Sequence, residues 1–555
     1  MEKIKIKING QEVEVEQGKT ILQVAKELNL HIPTLCNFEP LLPQGSCRIC
    51  LVEDRGKLVT SCTTQVAPNM DVKLDTPDVI ASRNLILQLL FTERNHYCMY
   101  CEASGDCELQ KLGYEFGLDH FEFETYERKF TVDNSHNYIV IDPNRCVLCR
   151  RCVRACSQLA GHNVLGEMNR GIDTMIIADM NVPLGESSCT SCGLCVQVCP
   201  TGAITDKRSY YFGKDIQTEE IYSNCDQCPV GCGVKIYKKK GSNFIVKIYG
   251  DFDKENEGIL CKLGRYAALF EEKPRLTSAK IKDDFGFKKI DFDGIIKTIN
   301  EKMEDSVVYV DGTLFNEELS LIKKVFKDRV FSLYENEPPI ESNVSIDDIK
   351  NAKDYIVIGV DLNREYGVIG SFIKRKIFSK NGRLILFDSN YNSLKNVANY
   401  VFGIDELESG LEKLKDLDSP IIIYKNLSKK EVEILNKYKN FRFFHLPFET
   451  NSIGLLKENI KHKIEKSKNI IFIGKNLQGL KDIAKESFTI LFTPYETDEI
   501  NKFDLLIPIN DGFEREGSFY NVDGKVVNKT KVLDSKFETF DLKAILEELI
   551  KVKSL

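Results

Sequence analysis

All nineteen cysteines of this 555-residue chain fall between Cys36 and Cys261, and the stretch from Lys262 to Leu555 holds none. So uneven a distribution splits the chain into a front part tied to sulfur and a back part that must fold on apolar burial. The spacings are tight: Cys36-x10-Cys47-x2-Cys50-x11-Cys62, then Cys98-x2-Cys101-x5-Cys107 with His96 two positions upstream. Next come Cys146-x2-Cys149-x2-Cys152-x3-Cys156 and its repeat Cys189-x2-Cys192-x2-Cys195-x3-Cys199-Pro200, and last Cys225-x2-Cys228-x3-Cys232-x28-Cys261. An odd cysteine count with Cys-x2-Cys pairs argues against a disulfide framework and for metal ligands or redox pairs. Met1 to Gly10 alternates lysine and isoleucine with no apolar h-region, so no signal peptide is expected.

A chain of this length is expected to hold several domains, because single cores stop growing near about 250–300 residues. The composition is that of a soluble protein, with 42% hydrophobic and 29% charged residues. No apolar run approaches the roughly 18 residues of a membrane span, so direct membrane insertion is not expected. The net charge of −7 gives no general electrostatic reason to bind nucleic acid. The Lys238-Lys239-Lys240-Gly241 run reads as a solvated turn between two strands. No Gly-x-Gly-x-x-Gly follows a strand and there is no Walker motif, so neither NAD nor FMN is expected on this chain.

Residues 3–8 and 11–16 alternate as two strands joined at Asn9-Gly10, the preferred two-residue hairpin turn. Thr20 then caps a short helix, Ile21 to Leu28, ahead of the Cys36 loop. This order resembles a plant-type [2Fe–2S] ferredoxin in the variant found at the start of complex I and hydrogenase electron-input subunits. The resemblance implies that Cys36, Cys47, Cys50 and Cys62 hold a [2Fe–2S] cluster, with Gly45 and Ser46 letting backbone amides approach the sulfides. Four thiolates can also hold zinc, which remains the alternative at this spacing. An apolar helix face over residues 85–91 leads into the His96 segment. That segment resembles the family's one-histidine, three-cysteine [4Fe–4S] site, implying His96, Cys98, Cys101 and Cys107 as ligands. Here the histidine stands closer to the first cysteine than in the common form, a spacing similar to the NAD-linked hydrogenase and formate dehydrogenase branch.

The repeated run is that of bacterial two-cluster ferredoxins, in which the fourth cysteine of each half ligates the other cluster. One [4Fe–4S] cube is therefore expected on Cys146, Cys149, Cys152 and Cys199, and the other on Cys189, Cys192, Cys195 and Cys156. Cys225, Cys228, Cys232 and Cys261 resemble the [4Fe–4S] segment that opens molybdopterin oxidoreductases. Where catalytic members place a lysine two residues after the last cysteine, this chain has Leu263, with Lys262 beside it.

Beyond residue 276, short apolar runs alternate with amphipathic stretches. Strands are expected at Val307–Val310, Tyr355–Val360, Leu384–Phe387, Ile421–Tyr424, Arg442–Leu446, Ile470–Ile473, Thr489–Phe492 and Leu505–Ile509. Helices are expected at Glu317–Lys327, Lys429–Tyr438 and Leu477–Glu486, which indicates a doubly wound parallel sheet. Asn316-Glu317-Glu318, Ser345 to Ile349 with Tyr355 to Gly359, and Asp504 to Pro508 with Glu514 to Lys525 resemble segments of molybdopterin oxidoreductases. The interval Phe331–Asn343, where that family usually carries its metal-ligating residue, has no cysteine and only Ser332 and Ser342 as serines. A pterin is therefore not expected, and no catalytic residue is assigned. His31, His120, His136, His162, His445 and His462 receive no role.

The expected fold class is multidomain α+β and α/β. It comprises a plant-type [2Fe–2S] ferredoxin (β-grasp) domain at 1–80, a one-histidine, three-cysteine [4Fe–4S] segment at 81–120 and a two-cluster bacterial ferredoxin domain at 137–210. A molybdopterin-oxidoreductase-like [4Fe–4S] segment at 218–275 and a degenerate α/β domain at 276–555 follow. The chain is most similar to the large iron–sulfur subunit of the complex I, NAD-linked formate dehydrogenase and multimeric hydrogenase superfamily. That resemblance implies one [2Fe–2S] and four [4Fe–4S] clusters in an electron-relay subunit of an NADH dehydrogenase-type oxidoreductase. The implied partners are a flavin- and NADH-binding diaphorase subunit, a small [2Fe–2S] subunit, and downstream quinone-reducing, hydrogenase or formate dehydrogenase subunits. The implied location is cytoplasmic, or peripheral on the cytoplasmic face of a membrane through partners. Alternatives are an electron-transfer or catalytic subunit of an NAD-linked formate dehydrogenase or hydrogenase, and a zinc-stapled scaffold without redox function.

Overall fold

Strand pairing at the N-terminus follows directly from side-chain alternation. Lys3–Ile8 pairs antiparallel with Gln11–Glu16, from Lys3 opposite Glu16 to Ile8 opposite Gln11. Asn9 and Gly10 both take positive φ, 48° and 80°, as a tight hairpin of right-handed twist requires. Ile4, Ile6 and Ile8 face the core while the intervening lysines stay in water. The structure, a computed structural model, describes residues 2–94, 96–125, 129–271, 273–388, 392–414, 417–438, 440–476, 487–496 and 500–554. It divides into two units, Met1–Thr218 and Glu219–Leu555.

In the first unit the hairpin joins a five-stranded sheet ordered Gln11–Glu16, Lys3–Ile8, Asp71–Lys73, Leu51–Asp54, Lys57–Thr60. The helix Ile21–Glu27 buries Ile21, Leu22, Val24 and Ala25 against it. Thr20 and Gln23 form a reciprocal cap, Gln23 N donating to Thr20 Oγ1 at 3.3 Å and Thr20 N to Gln23 Oε1 at 2.9 Å. The first amides of that helix donate to Thr64 O and Ser61 O, at 3.0 Å each, which anchors the Cys62 loop. A long helix, Pro77–Glu93, then buries Leu87 and Phe91 against Leu109 and Leu112 of the helix Glu108–Glu115. Leu85 and Leu89 of the apolar stretch remain exposed.

Two short antiparallel pairs organise the rest of this unit. Ile139–Ile141 pairs with Ile204–Asp206, and Leu165–Met168 with Met175–Ala178. The first pair closes the ends of the repeated cysteine region on each other, and the second closes its middle.

The second unit opens on a three-stranded sheet, Thr218–Asn224, Gly233–Lys239 and Ile245–Gly250, with Lys238 to Gly241 at the turn between the last two strands. All eight expected strands beyond residue 276 are present, but they form two sheets instead of one. Ser306–Val310, Val330–Ser332, Asn469–Ile473, Phe488–Thr493 and Leu505–Pro508 run parallel, and Lys280–Asp283 with Gly286–Lys289 adds an antiparallel edge. Asp354–Ile358, Arg383–Phe387, Tyr400–Phe402, Ile421–Tyr424 and Arg442–His445 make a separate all-parallel sheet, inserted between Val330–Ser332 and Asn469–Ile473. In each sheet the strand order reverses once, at Ser306–Val310 beside Asn469–Ile473 and at Asp354–Ile358 beside Ile421–Tyr424, so each is doubly wound. Helices Asn316–Phe326 and Lys429–Leu435 occupy two of the expected positions, and the expected Leu477–Glu486 helix lies outside the described residues. Among the described residues no helix is long and apolar enough to cross a membrane.

Thr20→Ala removes the reciprocal cap and is expected to cost about 1 kcal/mol. Deuterium exchange at the amides of Ile21–Glu27 should then be about fivefold faster. Unchanged exchange would mean that packing alone sets the start of this helix.

Candidate metal centres

The strand pairs explain why distant cysteines meet. Ile139–Ile141 lies just before Cys146 and Ile204–Asp206 just after Cys199, so their pairing carries Cys199 to the first run. Cys146, Cys149, Cys152 and Cys199 line one cavity, with Ile141, Val147, Ile176 and Pro200. Leu165–Met168 follows Cys156 and Met175–Ala178 precedes Cys189, so Cys156, Cys189, Cys192 and Cys195 line a second. The two runs share a backbone: Leu148 and Arg150 take φ of 51° and 61°, and Ser191 and Gly193 take 60° and 65°. In each run this left-handed turn lets an amide donate to the first sulfur, Leu148 N to Cys146 Sγ and Ser191 N to Cys189 Sγ, both at 3.4 Å.

His96 joins Cys98, Cys101 and Cys107 around a third cavity, beneath Phe91. Its Nε2 is buried and has no hydrogen-bond partner, while the ring also bonds the Leu90 backbone. A proton on Nδ1 satisfies that bond and leaves an Nε2 lone pair, the form a metal-binding histidine takes. Burial and then the charges of Arg145 and Arg94 push the imidazole down to about 4, so it is neutral at any working pH. An orphaned imidazole nitrogen in a cavity ringed by three thiols fits a metal cluster. Gly202 completes this wall, since a Cβ there would stand 2.9 Å from Cys101 Sγ and 3.0 Å from Ala103. Thr201 lines both this cavity and the Cys146 cavity.

Cys36, Cys47, Cys50 and Cys62 cluster as free thiols, with side-chain hydrogen bonds linking Cys36 to Cys47 and Cys62, and Cys62 to Cys50. Cys36 N donates to Cys47 Sγ at 3.3 Å, and Gly45 and Arg48 take φ of 64° and 62°. In the second unit Cys225, Cys228 and Cys232 occupy the loop before Gly233–Lys239, and their charges act on one another and on Cys261. Gly231, at φ 67°, brings that loop against Phe519, Asn521 and Val527. A Cβ at Gly264 would stand 3.3 Å from Cys225 Sγ and one at Gly367 3.1 Å from Cys261 Cβ, so side chains there would crowd these cysteines. Burial pushes the thiols up, Cys146 to about 11 and Cys107, Cys189 and Cys225 to about 12, so a metal entering these sites must displace protons. Among the described residues no three His, Cys, Asp or Glu side chains converge as a single-ion site does; the thiols ring cavities instead.

Several residues around these sites carry no sequence signature. Arg151 makes a two-pronged pair with Glu108 at 2.7 and 2.8 Å and donates to Asn37 O at 2.9 Å, tying the Cys36 loop to the helix after Cys107. Arg154 donates to Leu42 O, to Cys36 O at 2.5 Å and to Cys149 O at 3.3 Å. His136 accepts the Tyr138 and Ile139 amides at Nδ1 and meets Ser191 Oγ at 3.0 Å; His162 meets Thr190 Oγ1 at 2.9 Å. Both histidines thus brace the Cys189 loop from far away in sequence.

The three C-terminal segments singled out in the sequence converge. Glu317 accepts from Ser518 N and Oγ at 2.9 and 2.6 Å, and Arg515 pairs with Glu318. Ser345 caps the helix Ile346–Asn351, and Ile346 N donates to Asp523 at 2.9 Å. At the strand-order reversal of the larger sheet, where α/β proteins bind ligands, the chain supplies its own carboxylates. Asp311 accepts the Thr313, Lys475 and Asn476 amides at 2.9, 2.7 and 2.9 Å. Glu449, pushed well above the carboxylate range by burial and Asp311, accepts Gly312 N at 2.6 Å. Ser332 is engaged by Tyr334 and Asn336, and Ser342 by His445 N, so both serve the backbone. Lys262 pairs with Glu271 at 3.0 Å.

Four family models match successive stretches of the cysteine-bearing part of the chain. A family model described as a 2Fe-2S iron–sulfur cluster binding domain matches residues 1–77, and one described as the NADH-ubiquinone oxidoreductase-G iron–sulfur binding region matches 83–122. The NADH-quinone oxidoreductase subunit 3 ferredoxin-like domain matches 136–205, and the molybdopterin oxidoreductase Fe4S4 domain 218–271. The chain is 25% identical over 595 residues to the NADH-ubiquinone oxidoreductase 75 kDa subunit of Reclinomonas americana, covering 95% of this chain and 84% of that protein. The chain is also 24% identical over 529 residues to a putative formate dehydrogenase of Staphylococcus haemolyticus, covering 82% of this chain and 53% of that protein. Another relative, an NADH-quinone oxidoreductase subunit of Rhizobium meliloti, is 33% identical over 287 residues, 51% of this chain and 33% of its own length. The chain spans between a third and a half of the length of four of the curated relatives it matches. A solved NAD+-reducing [NiFe]-hydrogenase in the H2-reduced state matches with 32% identity over 38% of this chain and 91% of its own, at a TM-score of 0.37.

Gly202→Val is expected to displace Cys101 and lose one cluster's worth of iron, with the visible absorption of the others retained. Iron analysis of anaerobically prepared protein checks this; full iron content would show that Cys101 does not need the space Gly202 leaves.

Proposed function

We propose that this chain is an iron–sulfur electron-relay subunit of an NADH dehydrogenase-type oxidoreductase complex, without a substrate-converting site of its own. The observation that carries the reading is the sharing of walls among the sulfur-lined sites of the first unit. Thr201 lines two of the cavities, and Cys36, Cys47, Val147, Cys149 and Leu109 belong to one apolar core. In this reading Cys36, Cys47, Cys50 and Cys62 hold a [2Fe–2S] cluster. Four [4Fe–4S] clusters are held by His96 with Cys98, Cys101 and Cys107; by Cys146, Cys149, Cys152 and Cys199; by Cys189, Cys192, Cys195 and Cys156; and by Cys225, Cys228, Cys232 and Cys261. Bound clusters supply one-electron carriers whose potentials follow ligand type, burial and hydrogen bonds to sulfur. The chain's own residues exclude water, aim amides at sulfur and fix the His96 tautomer.

The relatives, NADH-quinone oxidoreductase, NADP-reducing hydrogenase and putative formate dehydrogenase proteins, support a place in a multisubunit NADH-linked oxidoreductase. In this reading a flavin-bearing partner oxidises NADH, a small [2Fe–2S] subunit sits beside it, and a quinone-reducing, hydrogenase or formate dehydrogenase partner lies downstream. Asp311 places a buried carboxylate at the strand-order reversal of the larger sheet, with the Glu449 carboxyl held toward its neutral form beside it, which opposes an anionic pterin cofactor there. Both runs of the ferredoxin repeat are complete, which favours the formate dehydrogenase and hydrogenase side for the downstream partner.

Anaerobically purified chain should carry about eighteen irons, two for the [2Fe–2S] cluster and four for each cube, and its visible absorption should bleach with dithionite. NADH alone should not bleach it, whereas NADH with a flavoprotein diaphorase should. Colourless, zinc-loaded protein would overturn the relay, and stoichiometric molybdenum or tungsten would overturn the account of the C-terminal half.

A further inference from the structure

The two halves of the ferredoxin repeat share a backbone but not a charge. The Cys146 run contains Arg150, Arg151 and Arg154 and is preceded directly by Arg145, whereas the Cys189 run through Cys199 and the residue before it include no basic residue. Three of the four arginines meet a carboxylate: Arg145 with Asp142 at 3.0 Å, Arg150 with Glu167 at 2.6 Å, and Arg151 with Glu108 at 2.7 Å. Arg154 does not. It is 6% exposed, its Nη atoms donate to the Leu42, Cys36 and Cys149 carbonyls, and its Nε has no partner. The opposite charges acting most strongly on it are the sulfurs of Cys36, Cys149 and Cys152.

A second buried cation reaches the backbone of a residue lining the Cys146 cavity, as Arg154 does at Cys149. Arg94 is 4% exposed, donates to Pro143 O at 3.0 Å and to Thr174 O, and lies 4.3 Å over the Phe130 ring. The charges acting on it are Cys146 first and Glu93 second, and Arg94 acts in turn on His96. On Cys189 and Cys195 of the other cavity no basic side chain is among the leading charges, whereas Arg94 acts on Cys146, and Arg151 on Cys149 and Cys199. The charges acting most strongly on Cys189 are its fellow cysteines and Asp179, and those on Cys195 are cysteines alone. The remaining lining of that cavity includes Val164, Leu165, Leu184 and Leu194.

A buried charge without a counter-charge interacts strongly with a neighbouring centre because little water screens it. Reduction adds one electron to a cluster, with no bond made or broken, so a fixed cation beside it stabilises the reduced form. We infer that Arg154 and Arg94 hold the cube on Cys146, Cys149, Cys152 and Cys199 at a higher potential than the cube on Cys189, Cys192, Cys195 and Cys156, making it the electron sink of the repeat. Arg154 raises the [2Fe–2S] centre as well, through Cys36, and Arg94 raises the His96 centre. This rests on the ligand sets proposed above. Both arginines are positioning residues acting through charge.

The test is a dithionite titration of the anaerobic full-length chain followed by electron paramagnetic resonance, with the two cubes assigned through Cys152→Ser and Cys195→Ser. In the unsubstituted chain the Cys146 cube is reduced first. Arg154→Met lowers the reduced-to-oxidised ratio of that cube and of the [2Fe–2S] centre about tenfold at fixed potential, about 59 mV for one electron. Arg154→Lys keeps most of the original midpoint, and Arg94→Met shifts the Cys146 cube and the His96 centre but not the [2Fe–2S] centre. The Cys189 cube stays fixed throughout and serves as the internal control. With both cubes present, an unmoved midpoint in Arg154→Met overturns the inference, as does an equal shift in Arg154→Lys. Should Arg154→Met not assemble, coincident or reversed reduction of the cubes in the unsubstituted chain, or an unmoved Arg94→Met, overturns it. Missing cubes in the unsubstituted chain would sink the ligand sets themselves.

Discussion

Four sulfurs can face one point only where the backbone carrying them turns tightly and little else intrudes. The rest of the first unit follows from that constraint. Left-handed residues at Leu148, Arg150, Ser191 and Gly193 fold each cysteine run around its cavity. The same geometry turns amides inward, so the loops bond to sulfur where they lack strand or helix partners. Small residues complete the walls, with Gly202 against Cys101 and Gly264 against Cys225. Such loops have little stability of their own, and each is pinned by regular structure at its edges. The two short strand pairs do this for the ferredoxin repeat, and the capped Ile21–Glu27 helix does it for the Cys62 loop.

Charge is handled differently in the two units. In the first, buried arginines reach across loops to carbonyl oxygens, so cations accumulate where sulfur is dense. In the second, buried acids and bases are mostly paired, as with Lys529 and Asp226 at 3.2 Å and Lys475 and Asp511 at 2.5 Å. Asp311 and Glu449 are the exception, lying together at the strand-order reversal with backbone amides as their main donors. A parallel sheet places amides and strand ends at that point whatever the chain does with them. Here they are satisfied from within, which leaves the sheet as a framework for packing and for the loop that carries Cys225, Cys228 and Cys232.

Much of this was legible in the sequence because it depends on local periodicity or fixed spacing. The Lys-Ile alternation and Asn9-Gly10 gave the hairpin to the residue, and the Thr20 cap gave the start of its helix. Eight of the strands beyond residue 276 were visible as apolar runs, since parallel strands buried on both faces carry little else, whereas short or edge strands such as Val330–Ser332, Tyr400–Phe402 and Lys280–Asp283 were not. Their distribution over two sheets was not visible, because an apolar run does not say which neighbour it pairs with. His96 stood out only because three cysteines lacked a fourth partner. Arg94, Arg151, Arg154, His136 and His162 gave no signal, since each has a bracing partner tens of residues away or more, up to 118 for Arg154 and Cys36.

The sequence by itself determined the number and grouping of the thiols, the local elements and the doubly wound character of the C-terminal half, all of which are properties of neighbours along the chain. Only the tertiary structure decided which cavities share a wall, which buried cations lack a counter-charge and what fills the crevice of the larger sheet. Those depend on through-space distances set by strand pairing and loop closure, and two runs with the same cysteine spacing can differ in every one of them.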